Sequence, residues 1–293
     1  MSIVDGHFHI WRQEDLPWLV GPMQPRIFGP YEPIRRDYPI EEYRLDAAGT
    51  GVEAAVYVQA NWAAGRAEDE VAWVSAEADR TGWPHAIVGY CDLTVADPWP
   101  ALKRLLAYPR LRGIRQQLHW HENPLYRFAA RPDIALDPTF QRNVARLAEH
   151  GLAFDLQVFP AQFGSACALA DACPKVTFVL QHAGMPEDLS EEGLAFWRTG
   201  LAGLAARPNV VAKLSGLGTF LRRLDAAHIA RVTSETLARF GPERCLFGSN
   251  FPIEKLWTDY AALVSAHEDA LAGTDDATRA AVLGGTARRV YRL

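Results

Sequence analysis

The sequence predicts an α/β protein folded as one single-domain (β/α)8 TIM barrel. Three observations predict it. Short β-rich runs alternate eight times with helical patterns along the whole chain. Several of these runs are almost continuously apolar, as in Val176-Thr177-Phe178-Val179-Leu180, which suits parallel strands covered on both faces. The length, 293 residues with 49% hydrophobic content, also fits one barrel, a fold that takes about 250 residues. The open doubly wound sheet is the rival architecture, but the first strand is followed by no GxGxxG turn.

The eight candidate strands span residues 3–9, 52–59, 86–92, 111–118, 152–159, 176–182, 209–215 and 244–250. Between them, Ala67, Val71, Val74 and Ala78 share one helical face. Asp97-Pro98 and Asp137-Pro138 each read as an N-cap followed by proline at the first helical position. Gly151 fits the residue just past a helix end, and Ser190 and Asp225 are candidate N-caps for two later helices. Two connections are unusually long, residues 11–39 and 119–136. Both follow strands, which places them on the catalytic face of a barrel, and their prolines and aromatics suit ordered binding loops. No repeat or linker divides the chain, so residues 1–293 are expected to form one domain.

Composition narrows the class of function. The net charge is −5 with acids and bases interspersed, which disfavours a nucleic-acid partner. No apolar run is long enough for a membrane span, and MSIVDGHFHI lacks the basic and apolar regions of a secretory signal. Cys91, Cys167, Cys173 and Cys245 form no CxxC pair and suit reduced, buried thiols. The expectation is a cytoplasmic protein with a small-molecule substrate and no organic cofactor. Exposed aromatics leave a homo-oligomer open.

The chemistry concentrates at strand ends. Asp5-Gly6-His7-Phe8-His9 ends the first strand, and the i, i+2 spacing turns His7 and His9 to one face, as a metal pincer or a carbonyl-polarising pair. Gln181-His182-Ala183-Gly184 ends the sixth strand and Gly248-Ser249-Asn250-Phe251-Pro252 ends the eighth, so His182 and Asn250 can meet the first pair on the rim. Arg115 on the fourth strand is expensive to bury alone. It reads equally as a substrate clamp or as the partner of a barrel carboxylate such as Asp155. Trp11, Gln59, Gln157, Lys213 and Ser215 are further substrate-binding candidates, with Trp18, Asn61, Trp62 and Asp92 beside them. His119 and His121 form a second HxH that is expected in a polar loop. The absence of a GxSxG elbow disfavours a serine α/β-hydrolase.

Taken together, DGHFHIW, VLQHAGMP, VVAKLSG and LFGSNFPI resemble the amidohydrolase superfamily, specifically the amidohydrolase family 2 branch of sugar-lactone and related lactone hydrolases. The resemblance spans nearly the whole chain. It implies a predicted metal-dependent TIM-barrel hydrolase in which water attacks an ester or lactone carbonyl, and a metal in some members. His7 and His9 match the HxH pair, His182 matches the strand-six histidine, and Lys213 resembles a family-typical position. The chain departs from the superfamily at Asn250, where an aspartate commonly takes the proton from water; an amide accepts no proton at neutral pH. His182 is then the expected base, with Asn250 orienting water or donating to the oxyanion. A divalent metal, zinc foremost, on His7, His9 and His182 stays open. The expected reaction is opening of a small cyclic ester, a sugar lactone or a carboxylated lactone. The alternatives are a metal-dependent decarboxylase or hydratase on the same scaffold, and a non-catalytic ligand-binding barrel.

Overall fold

A computed structural model describes residues 2–293. Eight parallel strands follow one another in sequence order: β1 (Ile3–Phe8), β2 (Val52–Val58), β3 (Ala86–Gly89), β4 (Leu111–Gln117), β5 (Ala153–Gln157), β6 (Phe178–Leu180), β7 (Val210–Leu214) and β8 (Cys245–Phe247). Each lies within the range read from the sequence, trimmed where the chain turns off the rim. The ring closes through the segment just past β8. Phe8 bridges Phe251, the Asn250 N–H donates to the His7 carbonyl at 2.7 Å, and the His9 N–H donates to the Phe251 carbonyl at 2.8 Å.

The helices form where the sequence signals them. Ala67–Thr81 buries Val71, Val74 and Ala78 against the strands, and Gly82 ends it with φ 79°. Asp137 accepts from the Thr139 and Phe140 N–H groups at the head of Pro138–Ala145. Ser190 and Asp225 cap Glu191–Ala205 and Ala226–Phe240. Asp97 differs slightly: it accepts from Trp99 N–H, and the helix Trp99–Leu105 starts one residue later than expected.

The core has two parts. The larger lies between the strands and the outer helices. The smaller fills the lower barrel with Val4, Val56, Val179, Val211 and Leu246, closed from below by Val290 and Tyr291 of the helix Thr286–Tyr291. A charged layer rests on this plug. Lys213 Nζ lies 2.9 Å from Asp155 Oδ2 with both side chains fully buried, and Asp155 also accepts from Gln181 Nε2 (2.8 Å) and Tyr291 Oη (3.0 Å). Asp155 therefore pairs with Lys213 rather than with Arg115. The four cysteines are free thiols. Cys91, Cys173 and Cys245 are buried and Cys167 is half-buried. Burial pushes Cys91 and Cys245 up to about 12, so both stay protonated. Among the described residues, no helix is long and apolar enough to cross a membrane.

Candidate active site

The site is assembled at the strand ends by a bulge in β1. Ile3 packs outward with the helices and Val4 packs inward with the barrel plug. Asp5 again points outward, bonded to Tyr43 and Tyr260 of the surrounding helices (2.9 and 2.8 Å). Strict alternation would send His7 outward as well. Between Asp5 and Phe8, however, β1 uses three steps against two on β2, where Asp5 pairs Ala55 and Phe8 pairs Tyr57. The extra residue reverses the parity, so Phe8 stacks outward on Tyr43 while His7 and His9 turn inward. Gly6 sits in this bulge because a Cβ there would lie 2.7 Å from the Phe247 carbonyl oxygen. Asp5 locks both sides of the seam, accepting from the His7 N–H (3.0 Å), the Ser249 N–H (2.8 Å) and Ser249 Oγ (2.6 Å).

His7 and His9 face each other with their Nε2 atoms 3.3 Å apart, and the His9 Nδ1–H donates to the Val58 carbonyl at 2.6 Å. In the neutral form His9 Nε2 then carries no proton, and the His7 Nε2–H donates to it. Desolvation holds His7 well below the usual imidazole range, with the Lys213 charge adding to it, and takes His9 down to about 3. Two Nε2 atoms bound to one tetrahedral zinc would also be separated by about 3.3 Å, so the pair fits two corners of such a site. His182 hydrogen-bonds Ser215 Oγ through Nδ1 at 2.9 Å, which leaves Nε2 free, and its ring centroid lies 4.9 Å from that of His7. As the side chains are placed, no group of three His, Cys, Asp or Glu among the described residues is gathered closely enough to hold an ion, so His7 and His9 are the two ligands that the geometry brings together.

His182 is held in the left-handed region, φ 53°, followed by Ala183 at φ 51°. Two such residues in succession are costly for side chains with a Cβ, and such strain concentrates at functional sites. Gly216 (φ 60°) leaves the room, since a Cβ there would lie 2.5 Å from His182 Nδ1. Burial, then the charges of Arg115 and Lys213, hold the His182 imidazole well below its ordinary range. With Nδ1–H given to Ser215, its Nε2 lone pair is available. Asn250, at φ 57°, is in a conformation that asparagine tolerates better than most residues.

A cavity of about 390 Å³ opens over these groups. His9, Arg115, Gln157, His182, Asn250 and Trp11 line it, so the structure brings these predicted residues together. Both long loops contribute, through residues 25–28 and 124–128, and Trp18, Asn61 and Trp62 add to the wall. The remaining predicted substrate-binding residues lie behind it. Gln59 gives its carbonyl to Arg115 Nη2 and its side chain to the Asn61 N–H. Lys213 faces Asp155 in the layer below, and Ser215 holds His182. Asp92 caps its own turn and accepts from Gln116. His119 and His121 both sit in the loop after β4, as expected, but His119 is buried there: it stacks on Phe128 and lines the cavity, its pKa lowered by burial to about 3. Thr219 and Phe220, from the loop after β7, also line the cavity and carried no sequence signal. A further unforeseen residue is Glu254, 1% exposed, which accepts from Trp257 Nε1 at 2.8 Å beside the Asn250 amide.

A protein-family model described as amidohydrolase (Amidohydro_2) matches residues 4–293. The chain is a member of the amidohydrolase family. This amidohydrolase is 34% identical to an L-fucono-1,5-lactonase of Burkholderia multivorans over 99% of its own length and 96% of the relative's. Crystal structures of a Burkholderia multivorans amidohydrolase, one with bound HEPES and one with bound zinc, superpose with a TM-score of 0.84 at 32% identity, covering the whole of both chains. A 2,6-dihydroxybenzoate decarboxylase shares the fold at 15% identity with a TM-score of 0.68. Membership and full-length likeness make the protein a hydrolase of this family.

Proposed function

We propose that this amidohydrolase opens a lactone ring by attack of water on the ester carbonyl. The observation that carries the reading is His182: a neutral imidazole, oriented through Nδ1 by Ser215, on the wall of a cavity shared with Arg115 and Asn250. The full-length likeness to an L-fucono-1,5-lactonase supports the choice of a cyclic ester.

In this reading His182 Nε2 takes a proton as water oxygen bonds to the carbonyl carbon. The negative charge on the former carbonyl oxygen is met by a donor already in place, the Asn250 amide. The tetrahedral species collapses by breaking the ring C–O bond, and His182 returns its proton to the leaving alkoxide. Asn250 does not act as base; it orients and donates. His7 donates its proton to His9 and His9 donates its own to the Val58 carbonyl, so neither offers an N–H to the substrate, and a divalent ion bound at their facing Nε2 atoms would supply additional polarisation.

The test is a pH-indicator assay over a panel of lactones, with enzyme as isolated, chelated and zinc-supplemented. The expected result is turnover that falls about 10²-fold or more in His182→Ala, the usual contribution of a general base. A decarboxylase on the same barrel is kept as the second reading by Asn250, where a hydrolase of this superfamily commonly has a carboxylate. Release of CO2 from a hydroxybenzoate, with no lactone opened under any metal condition, would establish it instead.

A further inference from the structure

The cavity wall is electrostatically one-sided. Arg26, Arg115 and Arg127 line it, and no aspartate or glutamate does. Among the described residues, none of these three arginines has a carboxylate within ion-pair distance. By contrast, Arg12, Arg66, Arg104 and Arg207 each do. Lys213, the other buried cation nearby, is already neutralised by Asp155.

Arg115 is the most telling of the three. It is 3% exposed, yet its five N–H donors meet only the Gln59 carbonyl and, at 3.4 Å, Gln157 Oε1. Its Nε has no acceptor. A buried guanidinium left this incomplete costs free energy unless an anion joins it. Arg26, from the first long loop, repeats the feature: its Nε is also buried without a partner, and its guanidinium lies 5.9 Å from the Trp18 ring centroid. Arg127, from the second loop, lies 4.9 Å from the Trp120 ring and spends Nε and Nη2 on backbone carbonyls, leaving Nη1. Aromatic faces orient guanidinium planes without neutralising them. The amides of Asn61, Gln117, Gln157 and Asn250 on the same wall can bond hydroxyls, but none of them neutralises a guanidinium.

We propose that the substrate carries a carboxylate, received by the Arg26–Arg115–Arg127 wall, while the lactone carbonyl faces His182. The inference rests on the lactone-hydrolase reading and narrows it to acidic lactones.

The experiment compares γ-butyrolactone with its γ-carboxylated derivative, and measures glutarate binding by calorimetry as a readout independent of turnover. The expected kcat/KM for the acid exceeds that for the neutral ring by about tenfold or more, and rising NaCl erodes the difference. In Arg26→Gln and Arg115→Gln, each checked for an unchanged thermal midpoint, the acid-to-neutral ratio falls at least about tenfold, and Arg26→Lys retains part of it. Equal turnover of both lactones, with the ratio untouched in the variants, overturns the proposal and leaves the hydrolase reading standing. Glutarate binding that both variants weaken, without turnover of any lactone, supports the anion site and removes the hydrolase reading. Neither turnover nor binding removes both.

Discussion

Glu254 is a carboxylate placed where its charge is hard to keep. It is buried beside Trp257, Asn250 and the Gly218 backbone, and desolvation outweighs the hydrogen bonds that favour its anion, raising it to about 7. A carboxyl whose folded pKa is raised binds its proton more tightly in the native state, so ionisation opposes folding. The penalty is absent below the unfolded value near 4.5, grows as pH rises toward 7 and is complete above it. It is on the order of 3 kcal/mol at one pKa unit per 1.36 kcal/mol. Glu254→Gln, which stays neutral, is therefore expected to gain stability over the parent at pH 8 and to gain little or none at pH 5, measured as thermal midpoints across pH. The same gap at both pH values would contradict this account. Glu70, held by Tyr57 Oη and the Ala60 N–H and also raised to about 7, should leave a parallel slope of similar size in the variant.

At the scale of elements, the bulge in β1 and the seam to β8 do the positioning. Three site residues are placed by the closing hydrogen bonds themselves, since Asn250 bonds the His7 carbonyl and His9 bonds Phe251. Glycine is required on both sides of the seam. A Cβ at Gly248 would lie 2.7 Å from His7 Cβ, and one at Gly6 would meet the Phe247 carbonyl at the same distance. Neither obstacle is the far end of a flexible side chain. Gly6→Ala is expected to destabilise by about 1–3 kcal/mol, as overpacking does, and to lower kcat further than stability alone explains because His7 is displaced. Urea denaturation and single-turnover kinetics check the two parts. A variant of unchanged midpoint and rate would mean that the seam adjusts freely.

Across the whole molecule, the barrel interior is layered. An apolar plug lies at the bottom, the Lys213–Asp155 pair above it, and His9, His119, His182 and Arg115 line the cavity. The ion pair has a structural place in this order, carrying a fully buried charge that also helps keep His7 and His182 neutral. Lys213→Met leaves Asp155 charged, buried and held only by Gln181 and Tyr291. The expected loss is about 3–5 kcal/mol, with Lys213→Met/Asp155→Leu recovering much of it. Denaturant midpoints measured beside kcat decide between this and a direct role of Lys213 at the substrate, in which the single variant would lose activity with little loss of stability and the double variant would not restore that activity.

The sequence by itself determined the barrel, because apolar strand runs and helix caps are local signals with fixed periods: all eight strands, and the caps at Asp137, Ser190 and Asp225, fall where those signals lie. It also determined the rim histidines, since a strand ending in histidine before a glycine turn is visible along the chain. Tertiary structure alone decided which way those side chains point and which partners they find. The inward turn of His7 depends on a bulge against β2, and the pairing of Asp155 with Lys213 rather than Arg115 depends on side-chain reach across the barrel. The place of His119 in the cavity wall depends on the fold of its loop, and the seat of Glu254 on the close packing at Gly218. Each of these is set by contacts between segments distant in sequence, and such contacts leave no periodic trace in the chain.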